Sequence, residues 1–185
     1  MSLDLYVHCK SPRPLSIEQL SAALVAHGIG AAIFEDYLEY KPAVGGPIRS
    51  CTILGWNQES FDITRLTELL SAGDKKRLAP LFAEEVLAYA NVAAIDSAEY
   101  YQNFGEDYPD SLAGEIDQQF LDFMKLSNTV YEIETSAGRT DLSWRFQMAV
   151  CCTIAELTEG LIEEPQMGEY FFPKDAEKYF RGLAQ

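Results

Sequence analysis

The sequence predicts an α+β fold: a mixed or antiparallel sheet with helices packed mainly on one face, and a helical segment in the middle of the chain. Three observations carry this. The first residues alternate, Leu3, Leu5, Val7 and Cys9 against Asp4, Tyr6 and His8, which is the period of a half-buried strand. Farther on, Ile63, Leu66 and Leu70 recur at helical spacing. Strand-like runs then return at 129–135 and 170–172. The chain has 185 residues, of which 48% are hydrophobic. That is ample for a core, and no linker or repeat divides it, so residues 1–185 are read as one domain.

Taken in order, the alternating start is the first strand. Ser16 and Gln19 then form a capping box, with Leu15 and Leu20 as its hydrophobic staple, and Ile17, Leu20 and Leu24 as the buried stripe of a helix that Gly28 ends. A strand is expected within 29–40, a turn at 42–47 and another strand in the apolar run 48–56. The middle reads as two helices, the second carrying Leu78, Phe82, Val86 and Tyr89. Residues 96–109 lose periodicity and read as a loop. Asp110 or Ser111 caps a helix with the stripe Leu112, Ile116, Phe120 and Phe123. A strand over 129–135 leads to a helix from about Asp141 to Glu159, apolar on nearly every side and therefore central; Gly160 closes it. A short extended piece, a turn at 165–168, an aromatic strand and a helix from Pro173 complete the chain.

Composition excludes several functions. With 29 acidic and 14 basic residues the formal charge is −15, so the surface repels phosphate backbones and anionic headgroups; direct nucleic-acid or membrane binding is not expected. No apolar run reaches bilayer length and the first residues do not resemble a signal peptide, which points to the cytoplasm. Cys9, Cys51, Cys151 and Cys152 read as reduced core thiols. The vicinal pair is splayed by about 100° on a helix, against a structural disulfide.

Catalytic and cofactor signatures are absent. Gly28 and Gly30 do not continue into a nucleotide-binding loop, and there is no serine-hydrolase elbow. His8 and His27 are the only histidines and lack metal-ligand spacing, so neither a metal nor another cofactor is expected. His8 and Cys9 would face opposite sides of a strand, which argues against a base–thiol pair; they read as a surface histidine and a core cysteine. Neighbouring carboxylates, such as Glu35 with Asp36 or Glu39 and Glu163 with Glu164, read as solvated charge. The connection Ser136, Gly138, Arg139 and Thr140, with Trp144 one turn later, could present amides and a cation to a small anion; its plainer reading is a helix cap.

The strongest positive feature lies between Leu78 and Met124, where ten acids occur without any Lys, Arg or His. Within it, Glu99, Tyr100, Tyr101, Phe104, Glu106, Asp107, Tyr108 and Asp110 mix aromatic anchors with carboxylates. That mixture suits an interface with a basic protein, the plainer alternative being aromatics folded beneath a loop.

In being small, acidic and devoid of catalytic motifs, the chain resembles bacterial immunity proteins that neutralise contact-delivered toxins. The run from Asp141-Leu-Ser-Trp-Arg-Phe-Gln147 through Ala155-Glu-Leu-Thr-Glu-Gly160 to Pro165 also resembles a segment of uncharacterised small bacterial proteins. The first resemblance implies a stoichiometric, steric inhibitor of a basic toxin, plausibly a nuclease. It implies no catalytic residue, because such proteins span many folds. The competing expectations are a small-anion enzyme or sensor using Arg139, Thr140 and Trp144, and a structural or assembly subunit.

Overall fold

The computed structural model describes residues 3–36, 41–57, 63–71, 78–104, 108–135 and 140–175. Its strands are β1 (Leu3–Cys9), β2 (Ile29–Asp36), β3 (Lys41–Pro42), β4 (Ser50–Asn57), β5 (Leu87–Asp96), β6 (Thr129–Thr135), β7 (Leu161–Glu164) and β8 (Glu169–Phe171). They join in one sheet of order β3-β2-β4-β5-β6-β1-β7-β8, with every pairing antiparallel. The helices are α1 (Ile17–Ala26), α2 (Ile63–Ser71), α3 (Leu78–Ala83), α4 (Ser97–Phe104), α5 (Gln118–Lys125) and α6 (Asp141–Thr158). The expected α+β class and antiparallel sheet are therefore present.

Strand alternation divides the sheet into two unlike faces. On the front, Leu5, Val7, Ile33, Ile53, Ala88, Ala90, Val92 and Ile133 meet the two longest helices, α1 and α6. Residues Phe146 to Ala155 of α6 are buried without interruption, as its all-round apolar sequence predicts. The helix approaches closely because the strands beneath it carry small residues: a Cβ on Gly55 would stand 2.0 Å from the Phe146 ring. Gln147, wholly buried, is accommodated by donating to the Ile133 carbonyl at 2.7 Å.

Among the described residues, helices cover the reverse face at its two ends. Phe34, Leu54, Trp56 and Leu87 lie under α2 and α3, whose Leu66, Leu70, Leu78 and Leu81 are buried against them. At the other end, α4 and α5 pack over β1, β6 and β7 through Tyr100, Phe123 and Met124.

Local chemistry explains the element ends. Ser16 and Gln19 make the predicted capping box, and Gly28 follows α1 with φ 76°. Four expectations are corrected. The helix read through Val86 and Tyr89 ends at Ala83, and Leu87 onward is β5; alanines filling the strand's front face imitate helix composition and hide its alternation. The supposed loop at 96–109 contains α4, started by Asp96 accepting from the Ala98 and Glu99 amides; eight residues are too few to show a stripe. Asp110 and Ser111 form a short 3-10 turn, and Asp117 caps α5 instead. Glu159, at φ 51°, ends α6 in the left-handed conformation expected of Gly160. Glycine is needed at 160 for contact: a Cβ there would lie 2.9 Å from Val7 and 3.0 Å from the His8 carbonyl. The helix expected from Pro173 begins as a 3-10 turn at Pro173–Asp175, and its remainder lies outside the described residues.

Candidate functional site

The sheet register builds the reverse face as cross-strand rows. One row runs Thr52, Asn91, Glu134, Asp4 across β4, β5, β6 and β1. The next runs Ala93, Glu132, Tyr6, Glu163, Tyr170 across β5, β6, β1, β7 and β8. Because His8 is opposite Leu161, two residues from Glu163, it lies diagonal to that carboxylate on the same face.

The second row ends in a buried polar cluster. His8 Nε2 is 2.6 Å from Glu163 Oε2, the two residues being 0% and 2% exposed. Tyr100 donates to the same oxygen at 3.0 Å. Tyr108 and Tyr170 donate to Oε1 at 2.7 and 3.3 Å, so each carboxylate oxygen takes two bonds. Burial pushes the Glu163 carboxyl up, but the hydrogen bond and charge of His8 and the bonds from Tyr108 and Tyr100 outweigh it and hold the group below its ordinary value. Burial raises the phenols in turn, Tyr101 and Tyr170 up to about 12 and Tyr6, Tyr100 and Tyr108 farther, with the Glu163 charge adding to each. Tyr101 donates to the Met124 carbonyl at 2.5 Å and stacks on His8 with an interplanar angle of 8°. The rings fill the space around the ion pair, so these groups fasten α4, the segment from Tyr108 and β8 to the sheet.

This overturns two readings. His8 is a core residue, and Glu163 and Glu164, read as solvated, are 2% and 9% exposed. Tyr100 is likewise unavailable as a surface anchor at 2% exposure, and Tyr101 and Tyr108 are partly buried with their hydroxyls turned inward. Among the residues expected at an interface, Phe104 remains, 50% exposed and backed by Tyr100 and Tyr108 at centroid distances of 4.8 and 5.1 Å. Glu99 and Asp110 are also exposed, Asp110 ion-paired to Lys125. Glu106 and Asp107 lie outside the described residues.

The middle of the reverse face carries Asp4, Glu132 and Glu134, all half-buried. Asp4 stands directly opposite Glu134, a like-charge placement that weakens a sheet. Glu132 accepts from Tyr6 at 3.2 Å, and burial with the Asp4 and Glu134 charges raises its carboxyl despite that bond. Sequence reading missed this group, although period-two alternation at Glu132 and Glu134 signals a shared face. All eight described acids of the stretch between Leu78 and Met124 are exposed: Glu84, Glu85, Asp96, Glu99, Asp110, Glu115, Asp117 and Asp122.

Other candidates resolve structurally. Thr140 caps α6, accepting from the Ser143 amide at 3.2 Å, and Trp144 packs against the front core. Ser136, Gly138 and Arg139 lie outside the described residues, as does Glu39, while Glu35 pairs with Lys41. Cys9 turns away from His8 toward the Thr158 hydroxyl, 3.0 Å away. All four cysteines are buried and none is in a disulfide. Among the described residues no group of His, Cys, Asp and Glu could hold a metal, and no helix is long and apolar enough to cross a membrane. The chain matches no family model, no curated protein and no solved structure.

Proposed function

We propose that this chain is a stoichiometric binding protein for a basic protein, an immunity protein of the bacterial cytoplasm that blocks a basic toxin such as a nuclease by covering it. The observation that carries the reading is the exposure of every described acid in a stretch that contains no cation. Such a field speeds encounter with a cationic partner and disfavours anionic ones. Phe104 supplies the apolar anchor, and Glu99 on the same helix with Glu132, bonded to the Tyr6 that Phe104 packs against, would take Arg or Lys of the partner. The tyrosines lie one layer down and hold α4 rigid, which limits the ordering cost of binding.

The test is to recover the partner by co-purification from native cells, then titrate the purified pair against salt. The reading expects a basic protein, an association rate that falls steeply with ionic strength, and loss of affinity in a Glu99→Lys/Glu132→Lys variant. An acidic partner, or salt-insensitive binding undisturbed by those substitutions, refutes it.

A further inference from the structure

We propose that the groove at the C-terminal end of α6 binds a small zwitterion with an apolar side chain, of the α-amino-acid class. It encloses about 430 Å³ between Lys10, Ser11, Phe123, Leu157, Thr158 and Glu159, within the range of roughly 300–1,000 Å³ typical of small-molecule sites.

Its charges are arranged for a ligand bearing both signs. Lys10 and Glu159 line the same groove, yet neither belongs to any ion pair found among the described residues. The Lys10 ammonium rests instead over the Phe123 ring, 4.0 Å from its centroid. In a chain with twice as many acids as bases, a lysine kept off every described carboxylate is available to an anion. Glu159 is the left-handed cap of α6, one residue before the Gly160 that packs against β1, and it lines the groove. The terminal carbonyls of α6 add negative potential at that end. A ligand ammonium is therefore favoured at Glu159 and a ligand carboxylate at Lys10, while Leu157, 41% exposed, and Phe123 form the apolar wall. None of these residues is an acid of the 78–124 stretch or part of the Phe104 and Glu132 surface, so this site stands or falls apart from the docking reading.

The probe is L-leucine, titrated into isotope-labelled protein and followed by NMR, beside isoamylamine, which lacks the carboxylate, and isocaproate, which lacks the ammonium. Saturable shifts are expected at Lys10 and from Leu157 to Gly160, with each single-charge analogue and each of Lys10→Met and Glu159→Gln weaker by about fivefold, as exposed charge pairs allow. Both side chains are exposed, so the variants retain the fold, checked by unchanged thermal melts. The proposal is overturned if leucine produces no saturable shift there, if the three compounds bind alike, or if both variants bind leucine as the parent does.

Discussion

His8 Nε2 lies 2.6 Å from Glu163 Oε2 with both side chains shut off from solvent, which fastens the first strand to one 155 positions later. Two ionisable groups buried this deeply persist only if each is paired and hydrogen-bonded, and the tyrosine ring supplies the remaining bonds.

Glu163→Gln should destabilise the protein by about 3–5 kcal/mol, the usual consequence of removing one partner from a buried pair. Chemical denaturation measures it. A double variant, His8→Phe with Glu163→Leu, should recover part of the loss, because no uncompensated charge then remains; a loss equal to or greater than that of the single variant would contradict this account.

Acid should act through the same carboxylate. Its folded value is depressed, so its contribution is present above the unfolded carboxylate value of about 4.3 and is lost as pH falls through the lower folded value. The stability difference between parent and Glu163→Gln should thus shrink between about pH 5 and pH 2. Thermal melts across that range give the comparison, and a constant difference would dissociate Glu163 from acid sensitivity.

At alkaline pH the sign reverses. The phenols of Tyr101 and Tyr170 are pushed up to about 12 and those of Tyr6, Tyr100 and Tyr108 higher. Groups raised in the fold keep their contribution below the unfolded value of about 10 and lose it as pH climbs through the folded ones. Phenolate absorbance should show a late cooperative step coincident with loss of circular dichroism. Uniform ionisation of all tyrosines near pH 10 with the fold intact would be incompatible with the cluster.

Gly55→Ala should cost about 1–3 kcal/mol through overpacking, since its new methyl would stand 2.0 Å from a Phe146 ring that is 1% exposed and has nowhere to move. Adding Phe146→Leu should relieve the clash in part. Equal stability of Gly55→Ala and the parent would mean that α6 sits less tightly on β4 than the structure indicates.

Phe104→Ala separates docking from folding. Half-exposed, the ring should contribute less than about 1 kcal/mol to stability but more than that to binding of the basic partner. Calorimetry of the purified pair beside a melt of the free variant distinguishes the two; a large stability loss with unchanged affinity would assign Phe104 to the core.

Local patterns were read correctly where one residue's environment is set by its near neighbours. The strand at Leu3–Cys9, though buried on both faces where its alternation predicts one, the Ser16–Gln19 box and the continuous apolar surface of α6 all follow from spacing along the chain. β5 escaped notice because Ala88, Ala90 and Ala94 are small for contact with α6, a demand made by a helix about fifty residues away. The site was only partly legible for the same reason. Tyr100, Tyr101 and Tyr108 were recognised as a group, but whether they face solvent or core depends on a carboxylate 55 to 63 positions downstream.

By itself, then, the chain's order of residues determined an acidic α+β protein, the absence of familiar catalytic and nucleotide-binding motifs, and a stretch of acids that contains no basic residue. The tertiary structure alone decided that Glu163 is a core residue, that His8 is its partner, and that Asp4, Glu132 and Glu134 share one face of the sheet. Antiparallel register brings together side chains with no relation in sequence, and burial then turns what would be weakly interacting charges in water into the groups that hold one end of the sheet closed.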